Sequence, residues 1–290
     1  MPETSDVSIV ILAHSGCEFT KTCLQSILDA AVHPKELIVV NNGATDDTAS
    51  VLASFAGAFA DTKVHYTILT NDHNMGCSKA RNLGWEKATA PYVVFMDNDT
   101  VVCTKNYLET LVSEMEADPL LGVLGPKMIY PYMPHTIQCA GCAMNSKGRI
   151  RFRGRGADRY APEYTVRISV PVLISACWIM RREFLETLGG LDEYFHPVQY
   201  EDLDFCMRVN QAGYYCAYTP DVEVYHFEGV TTASFGNKVY QKNIAAQSLK
   251  FKKRWIDEIR KIPEDPADYR WLGDSELGLD PELVLDLDMT

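Results

Sequence analysis

Apolar residues recur along the first hundred positions with two periods in alternation. Residues 7–13 form a short continuous apolar run, the pattern of a strand buried on both faces, whereas residues 19–31 space Cys23, Leu24, Ile27, Leu28 and Ala31 at helical intervals. Residues 36–40 return to strand character. Asn41-Asn42-Gly43 then turns the chain into a helix from about Asp46, with Val51, Leu52 and Phe55 on one face. A third strand is expected at 64–69, a polar loop at 71–76, a helix at 78–88 and a fourth strand at 92–96. The order βαβαβαβ predicts an α/β fold with a mostly parallel sheet flanked by helices. Ligands of such sheets bind beyond the carboxyl ends of the strands. That edge gathers Ala13-His14-Ser15, Asn41-Asn42, Asn71 to Asn74 and Asp97-Asn98-Asp99.

The second half is less regular. Residues 108–116 read as a helix, 121–129 as a strand, and 139–172 as short strand signals mixed with a basic loop at 149–159. That loop carries five arginines and reads as a solvated surface segment, the alternative being a mobile lid over an anionic substrate. Residues 201–212 read as a helix stopped by Gly213, with Glu201, Asp202 and Asp204 in its first turn. Acidic residues there are ordinary helix-start chemistry, yet the same dipole keeps a carboxylate ionised, as a base for a hydroxyl requires. His226 lies in an alternating strand-like stretch at 222–227, where a lone histidine reads as a hydrogen-bonded core residue unless the fold brings it to Asp99.

At 237–262 the spacing predicts one amphipathic helix, with Tyr240, Ile244, Phe251, Trp255, Ile259 and Ile262 near one face and Lys242, Lys250, Lys252, Lys253 and Arg254 elsewhere. Two placements are open, docking on the body of the protein or lying on an anionic membrane surface, and docking is preferred.

Composition narrows the classes. The chain has 290 residues, 47% hydrophobic and 23% charged, enough for a large core. Its formal charge is −12, and residues 263–290 hold nine carboxylates against Arg270 alone, so the rest of the chain is nearly balanced. No basic surplus marks a nucleic-acid binder. No apolar stretch approaches the roughly 18 residues of a membrane span. Nine cysteines at irregular spacing, with no N-terminal signal pattern, predict reduced thiols and a cytoplasmic setting, with peripheral attachment at the inner face of a membrane as an option. Cys139 and Cys142 lack a second pair or a nearby histidine at zinc-site spacing and read as small buried hydrophobes.

Alternating side chains put Asp97 and Asp99 on the same side of an extended chain, where both can face a hard divalent cation; the plain alternative is a turn. The first βα turn, at 13–17, matches neither the Gly-rich dinucleotide fingerprint nor a Walker A loop. A metal and scattered donors must then handle any phosphate.

The ordered set formed by residues 7–12 and 39–46, Asn74-Met75-Gly76 with Ala80-Arg81-Asn82, Asp97-Asn98-Asp99, Gly189-Gly190-Leu191-Asp192 and Glu201-Asp202 resembles glycosyltransferase family 2 in its GT-A fold. It covers residues 6–230 and is most similar to bacterial rhamnosyl- and galactofuranosyl-transferases of surface polysaccharides. The resemblance implies a catalytic domain at 1–235, its nucleotide-binding half at 1–100 and its acceptor half at 101–235, followed by the helix at 236–262 and an acidic tail. Asp99 would bind Mn²⁺ or Mg²⁺ on the donor diphosphate, Asp97 would support the metal and the ribose, and His226 would complete the metal site. Asp202 would be the catalytic base, with Glu201 and Trp178 in support on the acceptor side.

Ala13, Ser15, Asn42 and Arg81 would contact the nucleotide. Asn42 stands where many relatives carry an aspartate that reads the base; that departure leaves base identity open, since an amide suits the imide edge of uracil or thymine, favouring a UDP- or dTDP-sugar, but can also serve another base. The acceptor would be a glycan or a lipid-linked glycan, and transfer would invert the anomeric centre. Two other readings are a catalytically silent GT-A scaffold, against which the retained acidic and histidine positions argue, and a sugar-phosphate nucleotidyltransferase, whose Gly-rich basic loop is missing.

Overall fold

The computed structural model describes residues 3–228 and 237–262. The strands β1 (Glu3–Ala13), β2 (Val32–Asn42), β3 (His65–Asn71) and β4 (Tyr92–Asp97) alternate with the helices α1 (Cys17–Leu28), α2 (Thr48–Ser54), α3 (Ala56–Ala60) and α4 (Cys77–Trp85). There follow β5 (Thr100–Val102), α5 (Tyr107–Ala117), β6 (Leu121–Ile129), and the short strands β7 (Ile137–Cys139), β8 (Cys142–Met144), β9 (Ile150–Phe152) and β10 (Ile168–Val170). The chain continues through β11 (Cys177–Arg181), α6 (Arg182–Leu188), α7 (Glu201–Gln211), β12 (Tyr215–His226), α8 (Asn237–Arg254) and α9 (Ile256–Ile259).

One ten-stranded sheet runs in the order β10-β12-β6-β11-β4-β1-β2-β3, with β5 paired to β12 and β7 to β6. The β3-β2-β1-β4 half is parallel throughout, as the alternation predicts. Beyond β4 the sheet is mixed, because β11 enters antiparallel between β4 and β6, while β12 runs parallel to β6. Strand β11 carries Cys-Trp-Ile-Met, a run too short to separate strand from buried helix by periodicity.

Burial explains the patterns. Every residue of β6 is buried, and β4 is buried up to its last residue, so neither shows polar alternation. Helix α1 buries Thr20, Cys23, Leu24 and Ile27, the i, i+3, i+4, i+7 stripe of an amphipathic helix. Cys139 and Cys142 are buried with their sulfurs 3.7 Å apart.

The expected helix at 237–262 is interrupted, since Trp255 leaves helical geometry (φ −105°, ψ 17°) between α8 and α9. Helix α8 docks on the protein. Gln247, Phe251, Trp255 and Ile259 recur every four residues and are buried. Gln247 donates to the carbonyls of Phe195 (3.1 Å) and His196 (2.6 Å), and Lys250 to that of Tyr194 (2.8 Å). Arg254 and the Trp255 indole both donate to the fully buried carboxylate of Asp204, each at 2.9 Å. Arg208 closes that carboxylate from its own helix at 2.9 Å, so the buried charge is fully partnered. No described helix is long and apolar enough to cross a membrane.

Candidate active site

A cavity of about 480 Å³ opens at the carboxyl ends of β1, β2 and β4. Leu12, His14, Asn42, Asp97, Asn98 and Asp99 line it from the parallel half of the sheet, while Asp202, Gln138, His226 and Glu228 line it from the mixed half. Tyr240 and Ile244 of α8 complete one wall.

Asp97 ends β4, and its amide hydrogen-bonds the Ala176 carbonyl at 2.9 Å, which fixes where the strand stops. Asn98 points away from the cluster and ties the turn to α1, donating to the Ser15 carbonyl (2.8 Å) and to Thr20 Oγ1 (2.7 Å). Asp99 is then carried toward β12, where its Oδ1 lies 3.4 Å from His226 Nε2. One ligand atom from each of Asp97, Asp99 and His226 lies within 4.8 Å of the others.

Gln138 sets the imidazole. Its Nε2 donates to the His226 carbonyl (3.2 Å) and to Glu228 Oε2 (3.4 Å), so its Oε1 faces His226 Nδ1 at 2.7 Å and requires the proton there. In the neutral ring Nε2 is left with its lone pair facing Asp99, the form that ligates a metal. Two carboxylates and one imidazole suit Mn²⁺, the imidazole being a poor ligand for Mg²⁺. Burial and the adjacent Asp99 charge raise the Asp97 carboxyl above its ordinary range against the pull of Arg81. Burial would lower the His226 imidazole, but the Asp99 carboxylate raises it.

Asp202 sits in the first turn of α7, its Oδ2 accepting from the Ser175 amide (3.1 Å) and its Oδ1 from the Leu203 amide (2.8 Å). Glu201 beside it is buried, with Oε2 unpartnered. Burial and the Asp202 charge push Glu201 up to about 7, above the effect of Arg81. Burial also raises Asp202, while two backbone N–H groups and Arg81 oppose the shift. The segment before them is held in left-handed backbone at Gln199 (φ 84°) and Tyr200 (φ 74°), a conformation costing on the order of 1 kcal/mol per residue. Gln199 donates to the Tyr240 hydroxyl at 2.9 Å, and Asn243 to the Val198 carbonyl at 2.9 Å, so α8 braces that segment.

Several sequence expectations change. Arg81 is 2% exposed and ion-pairs with Asp97, donates to Ser175 Oγ at 2.8 Å and lies 3.7 Å from Glu201. Its guanidinium therefore joins the two acidic ends of the site, while Arg81 remains among the residues that line the cavity. Asn42 is saturated: Nδ2 donates to Asn74 Oδ1 (3.0 Å) and the Gly76 carbonyl (3.4 Å), and Oδ1 accepts from Asn71 Nδ2 and the Met75 amide (3.0 Å each). It braces the 71–76 loop, and no hydrogen-bonding capacity is left to read a base. Trp178 is fully buried on β11, 6.0 Å from the Phe205 ring, because its position on the central strand points it into the core. Ala13 is buried too, and neither Ala13 nor Ser15 lines the cavity, whose first-strand contacts are Leu12 and His14.

The arginine loop is anchored, not solvated. Arg153 lies over the rings of Tyr164 (4.7 Å) and Tyr218 (5.8 Å), Arg159 pairs with Glu223 at 3.3 Å, and Arg155 lines the cavity, ion-paired with Glu228. Gln138, Ser175 and Glu228 carried no sequence signal, and Tyr240 was read only as part of the apolar face of the C-terminal helix. They become part of the site through contacts between segments distant in sequence.

The Glycosyl transferase family 2 model matches residues 8–189. A protein of Sinorhizobium fredii, y4gI, is 26% identical over 88% of this chain and 28% of its own length. The O-antigen biosynthesis protein RfbC of Myxococcus xanthus is 29% identical over 79% of this chain and 18% of its own. The chain thus spans less than a third of either relative. Among solved structures, the mannosyltransferase PcManGT of Pyrobaculum calidifontis, in complex with GDP-Man and Mn²⁺, is similar with a TM-score of 0.62 and 19% identity, over 92% of this chain and 68% of that one. The mixed sheet with flanking helices is the GT-A architecture.

Proposed function

The chain belongs to glycosyl transferase family 2, and from that premise we propose that it is an inverting, Mn²⁺-dependent enzyme moving a sugar from a nucleotide diphosphate to a hydroxyl of a glycan or lipid-linked acceptor. One observation carries the reading. The Asp97, Asp99 and His226 cluster and the Asp202 carboxylate line the same cavity, so a metal-held leaving group and a base share one space. The donor set fits a divalent ion, with Asp99 and His226 as ligands and Asp97 in support. When bound, that ion supplies Lewis-acid neutralisation of the departing diphosphate, worth several kcal/mol in a water-poor site.

The chain's own residues do the rest. Asp202 accepts the proton of the acceptor hydroxyl as its oxygen attacks the anomeric carbon, through a transition state with oxocarbenium character. Neutral Glu201 keeps a second charge away from that carboxylate below about pH 7. Ile174, Val198, Tyr240 and Ile244 contribute largely apolar lining to the same cavity. Polysaccharide synthesis as the setting is supported by the O-antigen role in the name of one relative.

The test is Asp202→Asn. It should lower transfer by at least about a hundredfold, the scale of general-base catalysis, while nucleotide binding survives; near-normal turnover removes Asp202 from the role. The donor is found by screening UDP-, dTDP- and GDP-sugars with Mn²⁺, reading free nucleotide released with and without acceptor.

A further inference from the structure

The residues lining the cavity include five carboxylates, Asp97, Asp99, Glu201, Asp202 and Glu228, against the guanidinium groups of Arg81 and Arg155. Glu201 is held neutral below about pH 7, and of the remaining charge a single divalent ion offsets only the two that a nucleotide-sugar diphosphate adds. A second cation beside the diphosphate would lower the surplus that is left. Arg81 is not available, because it is buried between Asp97, Glu201, Ser175 and Cys77.

Arg155 is placed differently. Its guanidinium lies over the Phe152 ring at 4.9 Å, and its Nε donates to the Tyr130 hydroxyl at 2.8 Å, which together hold the side chain against the cavity wall. Its NH2 group is ion-paired with Glu228 Oε2. That oxygen also accepts from Gln138 Nε2 at 3.4 Å, and Gln138 Oε1 is 2.7 Å from His226 Nδ1. Arg155 is therefore linked to the metal-ligand cluster through two side chains, and its partner carboxylate is the more exposed member of the pair, at 36% against 22% for Arg155. Partly exposed ion pairs are weak, so a multiply charged anion entering the cavity competes well for the guanidinium.

We propose that Arg155 is a ligand of the donor diphosphate, and that Glu228 occupies it until the donor binds. On binding, the guanidinium exchanges the Glu228 carboxylate for a diphosphate oxygen while keeping its stack on Phe152 and its bond to Tyr130. Arginine suits this exchange because its planar fork can bond a phosphate oxygen through the edge now facing Glu228. The inference deepens the glycosyltransferase reading and rests on it.

The two partners predict opposite signs. With Mn²⁺ present, isothermal titration of UDP, dTDP and GDP into wild-type protein identifies the diphosphate that binds, and its monophosphate serves as control. Arg155→Gln should weaken the diphosphate by roughly ten- to a hundredfold, the value of a hydrogen bond to a charged group, with a much smaller effect on the monophosphate. Glu228→Gln should tighten the diphosphate by about two- to fivefold, because the competitor's charge is gone while an oxygen remains to accept from the Tyr130 hydroxyl, which donates to Glu228 Oε2 at 3.1 Å. If Arg155→Gln does not fold, Arg155→Lys together with Glu228→Gln decides the matter, the lysine variant weakening the diphosphate and the glutamine variant tightening it. Unchanged diphosphate affinity in the arginine variants, or weaker affinity in Glu228→Gln, overturns the inference and leaves the glycosyltransferase reading standing. If the wild type binds none of the three diphosphates, both fall together.

Discussion

Glu201 stores a pH dependence at the level of one side chain. Its carboxyl is raised from 4.5 to about 7 by burial and by the neighbouring Asp202 charge. The folded state therefore holds a proton that the unfolded chain releases between those values, and stability falls as pH rises through that window. The contribution is complete below the ordinary value and lost above about 7. Glu201→Gln keeps the size and removes the titration, so its melting temperature should exceed that of the wild type by about 2 °C or more at about pH 8 and match it at about pH 4; a constant gap across pH would refute the assignment. At this scale, residue types were legible and roles only in part. The proximity of Asp97 and Asp99 was expected from extended-chain alternation, but β4 ends at Asp97 and a turn at Asn98-Asp99 is what brings the two carboxylates together. The saturation of Asn42 could not be read, since all four of its hydrogen bonds go to the 71–76 loop, beyond its own strand. Trp178 was misplaced for a related reason, as its orientation depends on which strands flank β11.

Among the elements, α8 links packing to chemistry. Phe251 is fully buried on its inner face, 5.4 Å from the Tyr200 ring, and Tyr200 is the left-handed residue that introduces Glu201 and Asp202. Phe251→Ala should cost about 3–5 kcal/mol and lower transfer more than nucleotide binding, because the cavity it opens lies under the base and not under the metal ligands. Denaturant unfolding and a comparison of kcat with donor affinity would check this; equal losses in both would mean general unfolding. The apolar spacing of α8 was readable, as was its docking, but the break at Trp255 was not. It reflects an indole hydrogen bond to Asp204, a buried partner 51 positions away. The first four strands were legible because a helix separates each pair and parallel pairing follows. The mixed half was not, because β11 and β12 find their places by long-range pairing that no local period encodes.

At the scale of the whole molecule, binding should appear as stability. A nucleotide that binds only through the metal adds about 2.7 kcal/mol at a hundredfold excess over its Kd, and it does so only when Mn²⁺ is present. Thermal melts with nucleotide should therefore rise on adding Mn²⁺, return to baseline with EDTA, and show no such rise in Asp99→Ala. A nucleotide shift indifferent to EDTA would remove the metal from the site. The cavity is built from sequence as far apart as Leu12 and Ile244, so its integrity should depend on the folding of the entire sheet.

The buried guanidinium of Arg81 carries a last consequence. One rigid, permanently charged plane touches Asp97, on the side where the leaving group is proposed to be held, and faces Glu201, the neighbour of the proposed base. On that reading the span between the two chemical poles is set inside the core, as a fixed gauge length, and a different substrate would be accommodated by altering the rim around it.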